Sequence, residues 1–206
     1  MRRILICAVT CFAVLSHLSF AQLNQDALAL YRNGQYQKAE EVCLQELEEM
    51  PRRMDSYVVL GWSLLGQEDY EQALEYGKRA LEISRYDYRI IEIVGTSYYN
   101  LGQNMNALQY LEEYTVLAPE GDRIGLVYYE MGEIFIRLGE YHRADIAFTT
   151  AVYHSSNRAS WWSRLGYARE MAEDSEYALD AYNKALTLNP SLESAKRGRE
   201  RVRESM

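Results

Sequence analysis

The sequence is poor in residues that do chemistry. Its 206 residues include only 3 cysteines, 3 histidines and 3 prolines. Cys7 and Cys11 fall within residues 1–21, which read as an export signal, so Cys43 is the lone thiol of the remainder. A single thiol closes no internal disulfide, and an oxidising compartment imposes no covalent framework here. His142 and His154 have no cysteine near them in sequence, which leaves too few ligands for a metal site. There is no glycine-rich phosphate loop and no His-Glu-x-x-His pair. "GWSLLG" from Gly61 lacks the glycine that a nucleophile elbow needs two residues after its serine; Leu65 stands there. Cationic excess is missing as well. The formal net charge is −8, and removal of Arg2 and Arg3 with the signal takes it to −10. Such a body argues against sequence-independent nucleic-acid binding. No residue reads as catalytic, and no cofactor is expected.

What is present is a globular composition, 48% hydrophobic and 25% charged with 18 tyrosines, long enough for a real core. The N-terminus differs in kind. Arg2 and Arg3 precede the 12-residue apolar run "ILICAVTCFAVL" from Ile4, and Ser19 and Ala21 are small residues suited to a cut. That layout is a cleavable secretory signal over residues 1–21 and leaves Gln22 as the first mature residue. It predicts export to the periplasm or the exterior, with no transmembrane segment after cleavage. The alternative is an uncleaved anchor, since Ile4 to Ala21 is 18 residues and just long enough to compete as a span. Ser16, His17 and Ser19 weaken that alternative. Neither Cys7 nor Cys11 follows Gly, Ala or Ser, so neither resembles a lipoprotein cysteine.

Self-similarity organises the rest. Ala39, Ala73, Ala107, Ala144 and Ala178 are spaced by 34, 34, 37 and 34 residues. A second set, Ala27, Gly61, Gly95, Gly132 and Gly166, has the same spacings. A third runs Glu46, Ala80, Tyr114, Ala151 and Ala185, while Pro51, Pro119 and Pro190 share one point of alternate units. The longer step marks three extra residues near Asp122 to Ile124. Independent registers that share one insertion are a repeat.

Tyr128-x-x-Met131-Gly132-x-x-Phe135 followed by Ala144-x-x-x-Phe148 resembles the tetratricopeptide repeat, a helix–turn–helix unit of about 34 residues. Trp162-x-x-Leu165-Gly166 with Ala178-x-x-x-Tyr182 and Pro190 is similar to it too. The match is weaker in the first unit, where Asp26 and Ala27 replace the Leu-Gly pair, and Arg169 departs from a usually aromatic place in the fifth. The resemblance implies an all-α, right-handed superhelical solenoid. Its five units would span residues 22–192, divided as 22–53, 54–87, 88–121, 125–158 and 159–192. Residues 193–206 would form a capping helix with the apolar stripe Leu192, Ala195, Val202 and Met206.

The joint within each unit follows from packing. A glycine inside a helix costs ~1 kcal/mol relative to alanine, so Gly132 is expected to permit a close crossing by the helix of Ala144. Gly139 is expected just past the first helix in a left-handed conformation. Tyr141 starts the second helix, and Phe148 fills the adjacent gap. Cys43 shares the register of Phe148 and Tyr182, so it reads as a buried packing residue.

By the same resemblance the first helices line a concave groove where peptides bind. Positions three before, one after and four after each small residue form one stripe on those helices. It supplies an aromatic in every unit: Tyr31, Trp62, Tyr99, Tyr129 and Tyr167. Arg89, Arg137 and Arg164 lie beside Glu92, Glu133 and Glu170, a mixture that argues against a purely acidic or basic ligand. The candidate groove residues are Tyr31, Trp62, Arg89, Tyr99, Tyr129, Arg137 and Tyr167, no metal site being expected. The family's clamp for a chaperone C-terminal carboxylate needs Lys and Asn, whereas Leu28, Trp62 and Thr96 occupy the stripe, so that function is not implied. The expected function is a non-enzymatic envelope adaptor for a protein or peptide. The alternative is a small-molecule-binding accessory subunit, for example of a transporter. Acidic Glu40, Glu41, Glu46, Glu48 and Glu49 oppose a tail with Lys196, Arg197, Arg199, Arg201 and Arg203. Both read as solvated faces, with weak head-to-tail self-association or contact of the tail with an anionic lipid surface as the alternatives.

Overall fold

Helices separated by short turns make up the whole of residues 26–206, the part described by the computed structural model. The expected export signal and the cleavage point before Gln22 lie outside those residues. Eleven helices and no strand occur among the described residues. They are α1 (Ala27–Arg32), α2 (Tyr36–Glu49), α3 (Met54–Gly66), α4 (Tyr70–Ile83), α5 (Tyr88–Asn100), α6 (Asn104–Leu117), α7 (Ile124–Arg137), α8 (Tyr141–His154), α9 (Ala159–Met171), α10 (Ser175–Leu188) and α11 (Glu193–Ser205). Consecutive pairs are helix–turn–helix hairpins and α11 is the capping helix. None of these helices is long and apolar enough to cross a membrane.

One backbone device makes every hairpin. Gly34, Gly102 and Gly139 have φ of 72°, 72° and 73°, and Glu68 and Glu173 hold the same register with φ of 62° and 64°. The next residue then donates its amide to a carbonyl in the last turn of the first helix: Gln35 to Leu30, Asp69 to Leu64, Gln103 to Tyr98, Glu140 to Phe135 and Asp174 to Arg169, all at 2.8–3.0 Å. This left-handed stop satisfies carbonyls that the helix end would orphan. Asp69 also caps α4 by accepting from the Gln72 amide at 3.1 Å. The docking alanines Ala39, Ala73, Ala107, Ala144 and Ala178 are all fully buried.

The chain forms two compact units that meet in sequence within α5, at Ile93 and Val94. In the N-terminal unit, α1 is a six-residue stub against 13 residues in α3, and Asp26 caps it through the Leu28 and Ala29 amides. Glu46 occupies a register that is Ala80 in the second repeat; it accepts the Ser56 hydroxyl at 2.5 Å and pairs with Arg53 at 3.2 Å. Cys43 is fully buried, and burial foremost, aided by Glu46, pushes its thiol up to about 12.

In the C-terminal unit Phe148, on the helix of Ala144, fills the gap at the crossing as its register implies. A Cβ on Gly132 would meet the Phe148 ring at 2.7 Å, not Ala144. The missing side chain makes room for the aromatic one turn beyond the docking alanine. Gly166 beneath Tyr182 repeats the arrangement, also at 2.7 Å. The long repeat step resolves into two extra residues in the turn before α7 and one at the start of α7 itself. At the end of the unit, Ala195 and Val202 of α11 are buried and Leu192 packs beside them. Met206 does not complete that stripe; it is exposed, because α11 stops at Ser205. Gly198 takes a role the sequence did not suggest, since a Cβ there would collide with the Tyr182 ring. Glu170 accepts the Tyr182 hydroxyl at 2.6 Å and both Arg201 donors at 2.7 and 2.8 Å, tying α9, α10 and α11 together.

Candidate functional site

The first helices present their open side chains in rows set by the helical period. The rows one and four residues after the small residue are half-buried: Leu28 and Tyr31, Trp62 and Leu65, Glu133 and Ile136, Tyr167 and Glu170. In the row three residues before it, Val58, Glu92 and Ser163 are buried, while Tyr129 is half-buried. Glu92 is therefore not a groove charge, contrary to the sequence reading. Its carboxylate is fully buried and accepts from Trp62 Nε1 at 3.0 Å. Thr96, in the open row, is also buried, and donates to buried Glu130 at 2.9 Å. The buried residues three before the small residue lie where consecutive first helices meet, as the Ser163 and Ser194 hydroxyls do at 2.9 Å across α9 and the N-terminal turn of α11.

In the N-terminal unit, Tyr31 stacks on Trp62 with ring centroids 5.7 Å apart at 27°, and leans on Tyr36 at 5.7 Å. Arg89 is held by Asp87 at 2.7 Å and Asp55 at 2.9 Å. Burial pushes the Asp87 carboxyl up, but hydrogen bonds and charge from Arg89 outweigh it and hold it below the usual range. Beside the stub α1 lies a cavity of about 580 Å³, with Leu28, Val58, Val59 and Trp62 in its wall and Arg53 and Arg89 among its charges.

In the C-terminal unit, Tyr99, Tyr129, Arg137 and Tyr167 come together with Glu133 and Arg164. Arg164 grips Glu133 with two bonds, Nε to Oε1 at 2.5 Å and Nη2 to Oε2 at 2.8 Å, a strong charge-assisted fork. Its guanidinium also lies 5.1 Å from the Tyr167 ring centre. Burial lowers the basicity of Arg164, but Glu133 more than restores it. Tyr129 stacks on Trp161 at 4.8 Å and 15° and tilts against Phe148 at 5.5 Å. Burial first and the Glu133 charge second push the Tyr99 and Tyr129 phenols up, so both stay protonated donors. Arg137 lies 4.5 Å over the Tyr99 ring and donates through Nη1 to the Tyr99 carbonyl at 3.2 Å and Asn104 Oδ1 at 3.3 Å.

The structure thus gathers Tyr31, Trp62 and Arg89 in one unit and Tyr99, Tyr129, Arg137 and Tyr167 in the other. Trp161 escaped the sequence reading. It sits five residues before Gly166, where other repeats carry Ser56, Ile90 and Val127, and the double tryptophan at 161–162 was the available signal. Glu170, expected beside the arginines, is taken up by Tyr182 and Arg201. What the six-residue patch offers is aromatic area, phenol donors and one guanidinium with spare donors. That is binding chemistry, with no nucleophile–base pair among its members.

Comparison with known proteins agrees with this geometry. The tetratricopeptide repeat profile matches residues 25–88 and 129–193, leaving the lengthened third repeat between them. A tetratricopeptide-repeat-containing protein of Methanocaldococcus jannaschii, MJ1428, is 28% identical over 165 residues, covering 79% of this chain and 28% of that protein. Human protein O-mannosyl-transferase TMTC1 is 26% identical over 134 residues, 65% of this chain but 14% of that one. The chain therefore spans under a third of either curated relative. Among solved structures, YrrB, a repeat protein with an unusual peptide-binding site, superposes with TM-score 0.67 at 20% identity, covering 84% of this chain and 88% of YrrB. MamA from Desulfovibrio magneticus gives 0.68 at 18%, covering 81% and 93%. The Cut9–Hcn1 hetero-tetramer of the anaphase-promoting complex gives 0.75 at 16%, covering 85% and 35%. With the profile matched over more than half its length, the chain belongs to the tetratricopeptide repeat family.

Proposed function

We propose that this protein is a non-enzymatic adaptor that holds a peptide or protein segment against the open faces of its first helices. The patch of Tyr99, Tyr129, Glu133, Arg137, Arg164 and Tyr167 carries this reading. Half-buried aromatics braced by arginines offer large contact area at little entropic cost, as binding hot spots do. The N-terminal signal layout supports an exported protein working in the envelope or outside the cell. The test is selection of short random peptides displayed on phage against the purified chain. A convergent pool whose binding falls in Tyr167→Ala but not in Tyr153→Ala, on an exposed face of α8, is expected. A pool that never converges, or one indifferent to Tyr167, overturns the reading.

One observation favours a second reading. The cavity of about 580 Å³ beside α1 has the size of a small-molecule site, consistent with an accessory subunit that binds a metabolite. A stoichiometric small molecule in native mass spectra of the purified protein would favour it.

A further inference from the structure

We infer that the C-terminal patch selects partner peptides carrying an aspartate or glutamate side chain, received by Arg137 beside the Tyr99 ring; the inference rests on the adaptor reading above. The three groove arginines differ in one respect. Arg89 is saturated by Asp87 and Asp55, and Arg164 by both oxygens of Glu133. Arg137 has no carboxylate. Its hydrogen bonds run from Nη1 alone to two neutral oxygens at 3.2 and 3.3 Å, while Nε and Nη2 are uncommitted. Stacking on the Tyr99 face at 4.5 Å fixes the plane of the guanidinium and leaves its edge exposed. A planar fork pre-oriented on an aromatic is suited to a carboxylate, and less of its freedom is lost on binding than for a lysine. The chain's net charge of −8 sharpens the point. In so acidic a body an exposed arginine has many carboxylates to pair with, yet this one faces the binding patch instead.

The geometry restricts the ligand to one acid rather than a run of them. Glu133 stands within the same patch, clamped by Arg164, and would repel a second carboxylate. The half-buried Tyr99, Tyr129 and Tyr167 rings around it favour apolar neighbours. The expected motif is a single Asp or Glu flanked by aromatic or aliphatic residues.

The phage selection above tests this with two variants. Displayed peptides fused at their C-terminal end have no free terminal carboxylate, so retention reports side chains. The wild-type pool should be enriched in a single acidic position. Arg137→Gln should lose that enrichment and bind the wild-type peptides roughly ten-fold more weakly, the loss of a charge-assisted pair. Arg197→Gln, the same charge change on exposed α11, should leave both unchanged. A convergent pool without acidic enrichment, or equal losses in the two variants, overturns the inference while the adaptor reading stands. A selection that never converges overturns both.

Discussion

The second and fourth repeats solve one packing problem with different atoms. In the fourth, Gly132 leaves a notch and Phe148, four residues after the docking alanine, fills it. In the second, the residue four after Ala73 is Gly77, which has nothing to insert. The notch over Gly61 is filled instead by Ile93 of α5, whose side-chain atoms lie 2.8 Å from where a Cβ would stand. The register therefore specifies where volume must be missing, and the filler comes from the same hairpin in the fourth repeat and from the next in the second. A hairpin sealed by its own aromatic closes itself. One sealed by its neighbour is completed by that neighbour, which is how a repeat array couples its members.

The largest expected effect is at the self-sealed joint. Gly132→Leu overpacks against a rigid ring and should cost about 3 kcal/mol, the upper end of the usual overpacking range. Gly61→Leu should cost less, since it meets an aliphatic side chain of the next repeat's helix and not an aromatic ring held within its own hairpin. Denaturant melts of the two variants compare them directly, and equal losses would erase the distinction between the joints.

The cap sharpens the comparison through pH. Burial pushes the Glu170 carboxyl up, but hydrogen bonds from Arg201 and Tyr182 prevail and hold it below its usual value. A depressed folded value means stabilisation that is complete above the unfolded value of about 4.3 and is lost as pH falls through the folded one. Acidification below about pH 4 should therefore loosen α11, an effect of about 1 kcal/mol given the exposed Arg201. Glu170→Gln should flatten that limb of the stability profile, and an unchanged profile would show the tie to be idle.

Smaller gains are expected at the two hairpin stops that lack glycine. Glu68 and Glu173 hold left-handed backbone, which disfavours a side chain by about 1–2 kcal/mol. After the entropy glycine adds to the unfolded chain, Glu68→Gly and Glu173→Gly should each raise stability by roughly 0.5 kcal/mol. A lowered melting temperature in either would contradict the turn geometry. The smallest effect is a rate. Buried Cys43, with its thiol at about 12, should resist alkylation at pH 8 in the folded state and react only as the first repeat opens.

Most of the fold was legible because five copies of one pattern average out local ambiguity. The docking alanines, the stop at Gly139 and the insertion near Asp122 to Ile124 all sit where the spacing put them. Two things were not legible. A notch sealed from outside its own hairpin was one: Ile93 over Gly61 comes from the next repeat's helix and needed coordinates, whereas Phe148 beside Gly132 was readable from its register. The depth of a stripe residue was the other: Trp62 and Thr96 share one row, yet the first is half-open and the second is buried. The aromatics on the first helices were readable from period, while the pairing that leaves Arg137 open and Arg164 closed was not.

The most direct test of a partner-binding first-helix face is a pair of photo-crosslinking variants. Tyr167 in the patch and Tyr153 on an exposed face of α8 are each replaced by a photoreactive phenylalanine analogue. The protein is then illuminated with a peptide from the wild-type selection. Crosslinks from position 167 and none from position 153 are the expected result. Equal labelling at both, or labelling at 153 alone, would contradict it.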